Sequence, residues 1–228
     1  MSKNEQKIYS SIYKNYDTIN TILSFGTMRL WRKVAANEAV KGNAHQRILD
    51  IASGTGELSF EMKRIADSRG KTVDIIGMDL NQKMLQVAKR KAGQRDAQIK
   101  FELGDAMRMK YADSSFDIAT SGFGLKGLDN PKQFSAEVHR VLKNGGEFVF
   151  LDIARSDSSA GRLFIGAYWT IIGWLCRIIG KGSYISIINS ITDFDKAKFA
   201  KILKDAGFKD VKIRKPLFGP AFLMTGRK

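Results

Sequence analysis

Five short apolar runs alternate with stretches of helical periodicity, and this alternation constrains the fold more than any other feature of the sequence. The apolar runs cover residues 47–52, 73–80, 98–105, 115–122 and 146–154. Amphipathic stretches lie between them near 57–69, 81–92 and 131–143. Buried parallel strands have this apolar character, and a repeated strand–helix–strand order predicts an open parallel sheet with helices on both faces.

The flanking segments complete a Rossmann-like, doubly wound α/β fold with a mostly parallel seven-stranded sheet. We expect two helices before the sheet, at about 5–23 and 27–41, and one helix near 195–206 after it. Two final strands are expected at 210–218 and 220–228.

The 228 residues are predicted to form one domain, because single cores grow to roughly 250 residues before chains divide. We divide it into an N-terminal helical lid (1–45), a ligand-binding core (46–154), an apolar helical insertion (155–194) and a C-terminal helix with strands (195–228).

A glycine-rich turn follows the first apolar run, and acidic residues follow three of the runs. Gly54 and Gly56 allow the backbone to pass close to a ligand. Asp50, Asp79 and Asp105 are expected to end successive strands at the edge where such sheets bind ligands. Carboxylates there can accept hydrogen bonds from ribose hydroxyls (Asp79), from an adenine amino group (Asp105) and from an amino-acid ammonium group (Asp50).

A dinucleotide site is the competing interpretation of this turn. Residues 54–59 differ from the G-x-G-x-x-G/A pattern only at the last position, and that pattern alone is weak evidence. Asp50, however, precedes Gly54 by four residues, where its charge would crowd a pyrophosphate. Taken singly, each aspartate is also compatible with a turn or a helix cap.

Four segments resemble the successive motifs of class I S-adenosylmethionine-dependent methyltransferases: residues 48–59, 75–85, 101–125 and 137–152. Within that superfamily, "YDTINTILSFGTMRLWR" (16–32) and "GFGLKGLDN" (122–130) are similar to the ubiquinone/menaquinone biosynthesis C-methyltransferases. The similarity spans about 8–226.

The resemblance implies that S-adenosylmethionine is the cofactor. Thr55 and its glycines would hold the methionine part, Asp79 the ribose, and Asp105 with Ala106 the adenine. The family's cofactor-contacting serine aligns with Gly122, and the neighbouring Ser121 is expected to take over its contact. The complete predicted set is Asp50, Ala52, Gly54, Thr55, Gly56, Asp79, Leu80, Asp105, Ala106, Ser121 and Gly122.

Methylation of a ring carbon also requires a base or an oxyanion stabiliser, because a neighbouring hydroxyl must lose or share its proton. The family's arginine in its F-G-[LI]-R-N run corresponds to Lys126, and its asparagine corresponds to Gly127. Tyr16 and Asn20 lie at i and i+4 on one helical face and are expected to cover the cofactor. We therefore expect Lys126 and Tyr16 to be catalytic.

Residues 163–176 contain no charged side chain, but 14 residues are too few to span a bilayer, which takes about 20. This segment and residues 180–194 are expected to shape the acceptor pocket, with Asn20, Trp169 and Tyr184 contacting the substrate. The net charge of +15 favours binding to an anionic surface. We therefore expect a lipophilic acceptor, such as a prenylated quinol, and an interfacial helix at an anionic membrane. A buried core or dimer helix is the alternative.

The remaining features indicate an enzyme on the inner face of the membrane, peripherally bound and cytoplasmic. The polar start lacks the apolar core of a signal peptide, and the single cysteine fits a reducing compartment. Neither histidine has a metal-ligand companion in the sequence, so no metal is expected.

Two other functions remain open at this point. A phospholipid amine N-methyltransferase, or another small-molecule methyltransferase, would use the same cofactor motifs without a base. A non-catalytic cofactor- or RNA-binding regulator could use the basic helix around residues 196–204, although such a helix is more often a solvated face and no nucleic-acid partner is expected. The sequence leaves the oligomeric state open.

Overall fold

The computed structural model describes residues 13, 16–154, 170, 194–216 and 219–228. Its strands are β1 (His45–Ile51), β2 (Thr72–Asp79), β3 (Ile99–Leu103), β4 (Phe116–Gly122), β5 (Leu142–Ile153), β6 (Lys209–Arg214) and β7 (Ala221–Arg227). They form one sheet in the order β3-β2-β1-β4-β5-β7-β6. β1 to β5 are parallel, whereas β7 runs antiparallel to both of its neighbours. The predicted mostly parallel seven-stranded sheet is confirmed.

Helices flank this sheet. They are α1 (Tyr16–Leu23), α2 (Thr27–Ala39), α3 (Glu57–Ser68), α4 (Gln82–Gln94), α5 (Pro131–Val141) and α6 (Lys196–Asp205). Side chains of Asn81, Asn130 and Asp195 accept hydrogen bonds from the first backbone amides of α4, α5 and α6, which fixes where those helices begin. In the part of the chain that the structure describes, no helix has the length and apolar character that a membrane crossing requires.

The core is divided between the two faces of the sheet. One cluster packs Trp31 and Met62 from the helices against strand residues that include Ile48. The opposite cluster is rich in phenylalanine and includes Phe134 and Phe199. A parallel sheet that is buried on both faces explains why its strands appear in the sequence as continuous apolar runs.

Strand β5 begins at Leu142, four residues before the predicted start of the fifth apolar run. The register explains the difference, because Phe116 is opposite Leu142 whereas Ile118 is opposite Glu147. The extra residues of β5 form an irregularity in which Gly145 has a φ of +77°. A bulge of this kind extends a strand through residues that read as a turn in the sequence.

Candidate functional site

A cavity opens at the carboxyl ends of β1, β2, β3 and β4, on both sides of the point where the strand order reverses between β1 and β4. Ligands of open parallel sheets bind at such a point. The predicted site residues that line it are Tyr16, Asp50, Ala52, Gly54, Thr55, Asp79, Leu80, Asp105, Ala106 and Gly122. The structure therefore brings together most of the set that the resemblance implies, from residues up to 106 positions apart.

The glycine-rich loop after β1 has an unusual backbone. Ala52, Gly54 and Gly56 have φ values of +55°, +56° and +83°. A Cβ on Gly54 would have no atom within 4 Å, so this position faces open space. A Cβ on Gly56 would lie 2.6 Å from Cζ of Phe101, so Gly56 packs against the sheet and does not line the cavity. Each glycine has its own function: Gly54 leaves room for a ligand, and Gly56 lets α3 start close to β3.

Asp79, the last residue of β2, fastens this loop. Its Oδ2 accepts a 2.8 Å hydrogen bond from the Gly54 amide, and its Oδ1 accepts a 2.7 Å bond from the Asn81 amide. Burial raises the pKa of its carboxyl group, and these amide donors oppose the rise. A carboxylate offers about four lone-pair sites, so capacity remains for ribose hydroxyls.

Asp50 lies on the floor of the cavity and is completely buried. Its carboxylate accepts a 2.5 Å hydrogen bond from the Ser59 hydroxyl and a 2.8 Å bond from the Thr120 hydroxyl. Burial raises its pKa to about 6, and the nearby charge of Asp79 adds to the rise. A carboxylate that is costly to ionise here would be stabilised by a bound cation such as an ammonium group.

The prediction that Asp105 ends a strand was wrong. β3 ends at Leu103, and Asp105 lies two residues later, exposed in a turn. Its Oδ1 accepts a 2.9 Å hydrogen bond from the Met107 amide, and its backbone bridges to Arg108. This local bonding holds the turn after the strand and leaves Asp105 and Ala106 at the rim of the cavity.

Helix α1 lies beside the glycine-rich loop. Tyr16 lines the cavity, and burial raises the pKa of its hydroxyl. One turn later, the amide nitrogen of Asn20 is buried. On the same helix, Asp17 accepts a 2.7 Å hydrogen bond from the Thr55 hydroxyl and pairs with Lys91 at 2.6 Å. The predicted helix thus reaches the cavity through Tyr16.

Other predicted residues lie away from the cavity. Lys126 does not line it, because its Nζ is directed to Oδ1 of Asp152 at 3.4 Å. Asp152 is completely buried and also accepts a hydrogen bond from the Leu125 amide. Ser121 is buried and does not line the cavity. The predicted substrate contacts Trp169 and Tyr184, together with the apolar segment 163–176 apart from Thr170, lie outside the described residues.

The sequence interpretation missed three features in and around the cavity. Arg32 lines the cavity, although it appears in the sequence only within the L-W-R run of the family resemblance. Asp152 lies at the end of a buried parallel strand as Asp50 and Asp79 do, and this shared position could have identified it. The pairing of Asp17 with Lys91 has no signal in the sequence, because 74 positions separate the two residues.

The described residues fit S-adenosylmethionine. Ser53 is one of the residues that line the cavity, and its buried hydroxyl makes no hydrogen bond to described residues. The open space at Gly54 gives a ligand access to the loop backbone. Carboxylates at the ends of β1 and β2 match the positive charge and the hydroxyl groups of this cofactor.

Comparisons with known proteins agree with this chemistry. Residues 1–228 match the model of the ubiE/COQ5 methyltransferase family. A demethylmenaquinone methyltransferase of Deinococcus radiodurans is 34% identical, with 98% of this chain and 92% of that protein covered. A ubiquinone/menaquinone biosynthesis C-methyltransferase of Roseobacter denitrificans is 33% identical, with coverages of 98% and 90%.

Solved structures show the same fold. A putative S-adenosylmethionine-dependent methyltransferase of Methanococcus maripaludis superposes with a TM-score of 0.66 at 21% identity, over 100% of this chain and 97% of that chain. The chain belongs to the ubiE/COQ5 methyltransferase family and is an S-adenosylmethionine-dependent methyltransferase.

Proposed function

We propose that this enzyme transfers the methyl group of S-adenosylmethionine to a ring carbon of a prenylated quinol. The observation that carries the proposal is the match of the whole chain to relatives that are named for the methylation of menaquinone and ubiquinone precursors. The cavity supports it, because its cofactor end is built from β1 and β2 and Tyr16 lies at its border.

In this proposal, different described residues contact different parts of the cofactor. Asp79 accepts hydrogen bonds from the ribose hydroxyls, and Asp105 with Ala106 borders the adenine. Gly54 and Thr55 adjoin the methionine part, with Asp50 beneath it. When bound, the cofactor supplies a sulfonium methyl group, so the protein contributes mainly positioning and exclusion of water.

Carbon methylation makes one further demand on the protein. The ring carbon becomes nucleophilic when the adjacent hydroxyl gives up or shares its proton, and negative charge then develops on that oxygen. The ordinary pKa of a tyrosine hydroxyl is 10.0, and burial raises that of Tyr16, so Tyr16 is protonated at neutral pH and can donate a hydrogen bond to this oxygen. Lys126, oriented by Asp152, supplies a positive charge near the end of β4.

The same proposal includes contact with a membrane surface, where prenylated acceptors are dissolved. Its support is the net charge of +15 and the uncharged run 163–176 in the sequence. Sedimentation with vesicles tests it: binding to vesicles with anionic phospholipid that weakens as salt rises is expected. Equal binding to anionic and neutral vesicles, or binding to neither, would contradict the proposed contact with an anionic membrane.

The experiment that tests the function follows labelled methyl from S-adenosylmethionine into a lipid extract, using the whole chain and mass analysis of the product. Label on a ring carbon in the quinone fraction is expected, and Asp79→Ala should abolish it. Label in phospholipid would reassign the enzyme to amine methylation. Cofactor binding without label would contradict catalysis on either acceptor.

A further inference from the structure

Arg32 of α2 places a positive charge in an otherwise acidic cavity. Among the described residues that line it, Arg32 is the only lysine or arginine, whereas Asp50, Glu57, Asp79 and Asp105 are acidic. Arg32 is partly buried, and no described carboxylate forms an ion pair with it. A partly buried guanidinium that has no anionic partner among the described residues is well suited to bind an anionic group of a ligand.

The contacts of Arg32 fix the end of the cavity at which it lies. Its guanidinium carbon is 5.5 Å from the ring centroid of Phe123, which directly follows β4 and has a φ of +64°. A Cβ on the next residue, Gly124, would lie 2.7 Å from Cβ of Ala52, so this turn touches the loop after β1. Arg32 therefore lies where β1 and β4 end.

The opposite end of the cavity lies beyond β2, where Asp105 follows β3. An adenosine that lies across β2 and β3, with its ribose at Asp79, directs the amino-acid part of the cofactor toward β1 and β4. At that end, Asp50 offers a carboxylate on the floor and Arg32 a guanidinium. This pair of opposite charges matches the ammonium and carboxylate groups of an α-amino acid.

We propose that Arg32 binds the carboxylate of the methionine part of the cofactor. The guanidinium can form two parallel hydrogen bonds with a carboxylate, a geometry that lysine cannot reproduce. This inference rests on the proposed function only through its cofactor, and it does not depend on which acceptor is methylated. Arg32 is thus a cofactor-binding residue contributed by the N-terminal helices.

Calorimetric binding in the absence of any acceptor tests the proposal. Three ligands are compared: S-adenosylhomocysteine, the corresponding compound without its carboxylate, and 5′-methylthioadenosine, which lacks the entire amino-acid part. Arg32→Gln should weaken binding of S-adenosylhomocysteine by about 10- to 100-fold, the loss expected for hydrogen bonds between charged groups. The affinities for the other two ligands should change by less than about threefold.

Two further variants make the result specific. Arg29→Gln removes an exposed arginine from the same helix and should leave all three affinities unchanged. Arg32→Lys retains the charge and should lose less affinity for S-adenosylhomocysteine than Arg32→Gln does. The Arg32→Lys variant also tests the inference if Arg32→Gln does not fold.

Two results would overturn the inference. An equal loss for all three ligands would show that Arg32 acts on the shape of the cavity. Unchanged binding of S-adenosylhomocysteine by Arg32→Gln would show that the guanidinium does not bind the cofactor carboxylate. Failure of the acceptor proposal would leave these binding results unaffected, because no acceptor is present in the measurement.

Discussion

The hydroxyl of Thr55 donates a 2.7 Å hydrogen bond to Oδ1 of Asp17, and this bond joins α1 to the glycine-rich loop. The other oxygen of Asp17 pairs with Lys91 of α4 at 2.6 Å, and Lys91 also pairs with Glu57 of α3 at 2.8 Å. A single carboxylate thus holds the N-terminal helix against the loop that borders the cofactor site. The network links α1, the glycine-rich loop with the start of α3, and α4.

Asp17→Ala should loosen this junction. We expect the free energy of unfolding to fall by about 1–3 kcal/mol, the usual effect of removing a hydrogen-bonded charge, because Thr55 loses its acceptor and Lys91 loses one of its two carboxylate partners. Urea denaturation measures the change. Asp67→Ala is the control, since Asp67 forms an exposed pair with Lys63 and its loss should change the free energy by less than about 0.5 kcal/mol. Equal effects of the two substitutions would contradict a special importance of Asp17.

Asp79→Asn should weaken cofactor binding. The amide nitrogen cannot accept a hydrogen bond, so either the Gly54 or the Asn81 amide loses its acceptor, and the ribose hydroxyls lose a charged one. We expect the affinity for S-adenosylhomocysteine to fall by about 10- to 100-fold in calorimetry. Asp74→Asn, at a partly exposed position on the same strand that does not line the cavity, should leave the affinity unchanged. A comparable loss in both variants would exclude a direct role for Asp79.

The buried Asp50 should make stability depend on pH. Its folded-state pKa of about 6 exceeds the ordinary value of 3.8, so the folded protein binds more protons between these two pH values. Its contribution to stability is therefore complete below about pH 4 and is lost as the pH rises through 6. From pH 4 to pH 7, wild type should lose up to about 3 kcal/mol of unfolding free energy relative to Asp50→Asn.

Urea denaturation of both proteins at several pH values checks this prediction. The comparison isolates Asp50, because Asp79, whose pKa is also raised, is present in both proteins. If the unfolding free energies of wild type and Asp50→Asn change in parallel between pH 4 and pH 7, Asp50 does not bind a proton in that pH range.

The pair of Lys126 and Asp152 has a structural effect that can be separated from a catalytic one. Lys126→Met leaves the buried carboxylate of Asp152 without its cation and should cost about 3–5 kcal/mol of unfolding free energy. The double variant Lys126→Met with Asp152→Asn should regain most of that loss, because the neutral amide needs no counter-charge. If Lys126 stabilises the oxyanion, methyl transfer by the double variant should remain at least about 100-fold slower than by the wild type.

Urea midpoints and single-turnover rates together measure the two effects. Recovery of the rate along with stability would show that Lys126 is only structural. Lys126→Arg keeps the charge and should retain more activity than Lys126→Met in the same assay.

The sequence alone determined the succession of strands and helices along the chain and the position of the glycine-rich loop. Apolar runs separated by amphipathic stretches specify β1 to β5, because local side-chain pattern controls which segments can be buried on both faces. Positions such as Asp50 and Asp79 also followed from local pattern, since the carboxyl ends of parallel strands lie at one edge of the sheet. The family resemblance added the cofactor, which spacing alone left open.

Only the tertiary structure decided which side chains meet. The strand order places β4 beside β1, and that arrangement brings Phe123, with Arg32 above it, to the end of the cavity near Asp50. It also directs Lys126 to Asp152 and away from the lining. These relationships join residues that are far apart in the chain, so they depend on how the strands are arranged side by side and not on the pattern within any one segment.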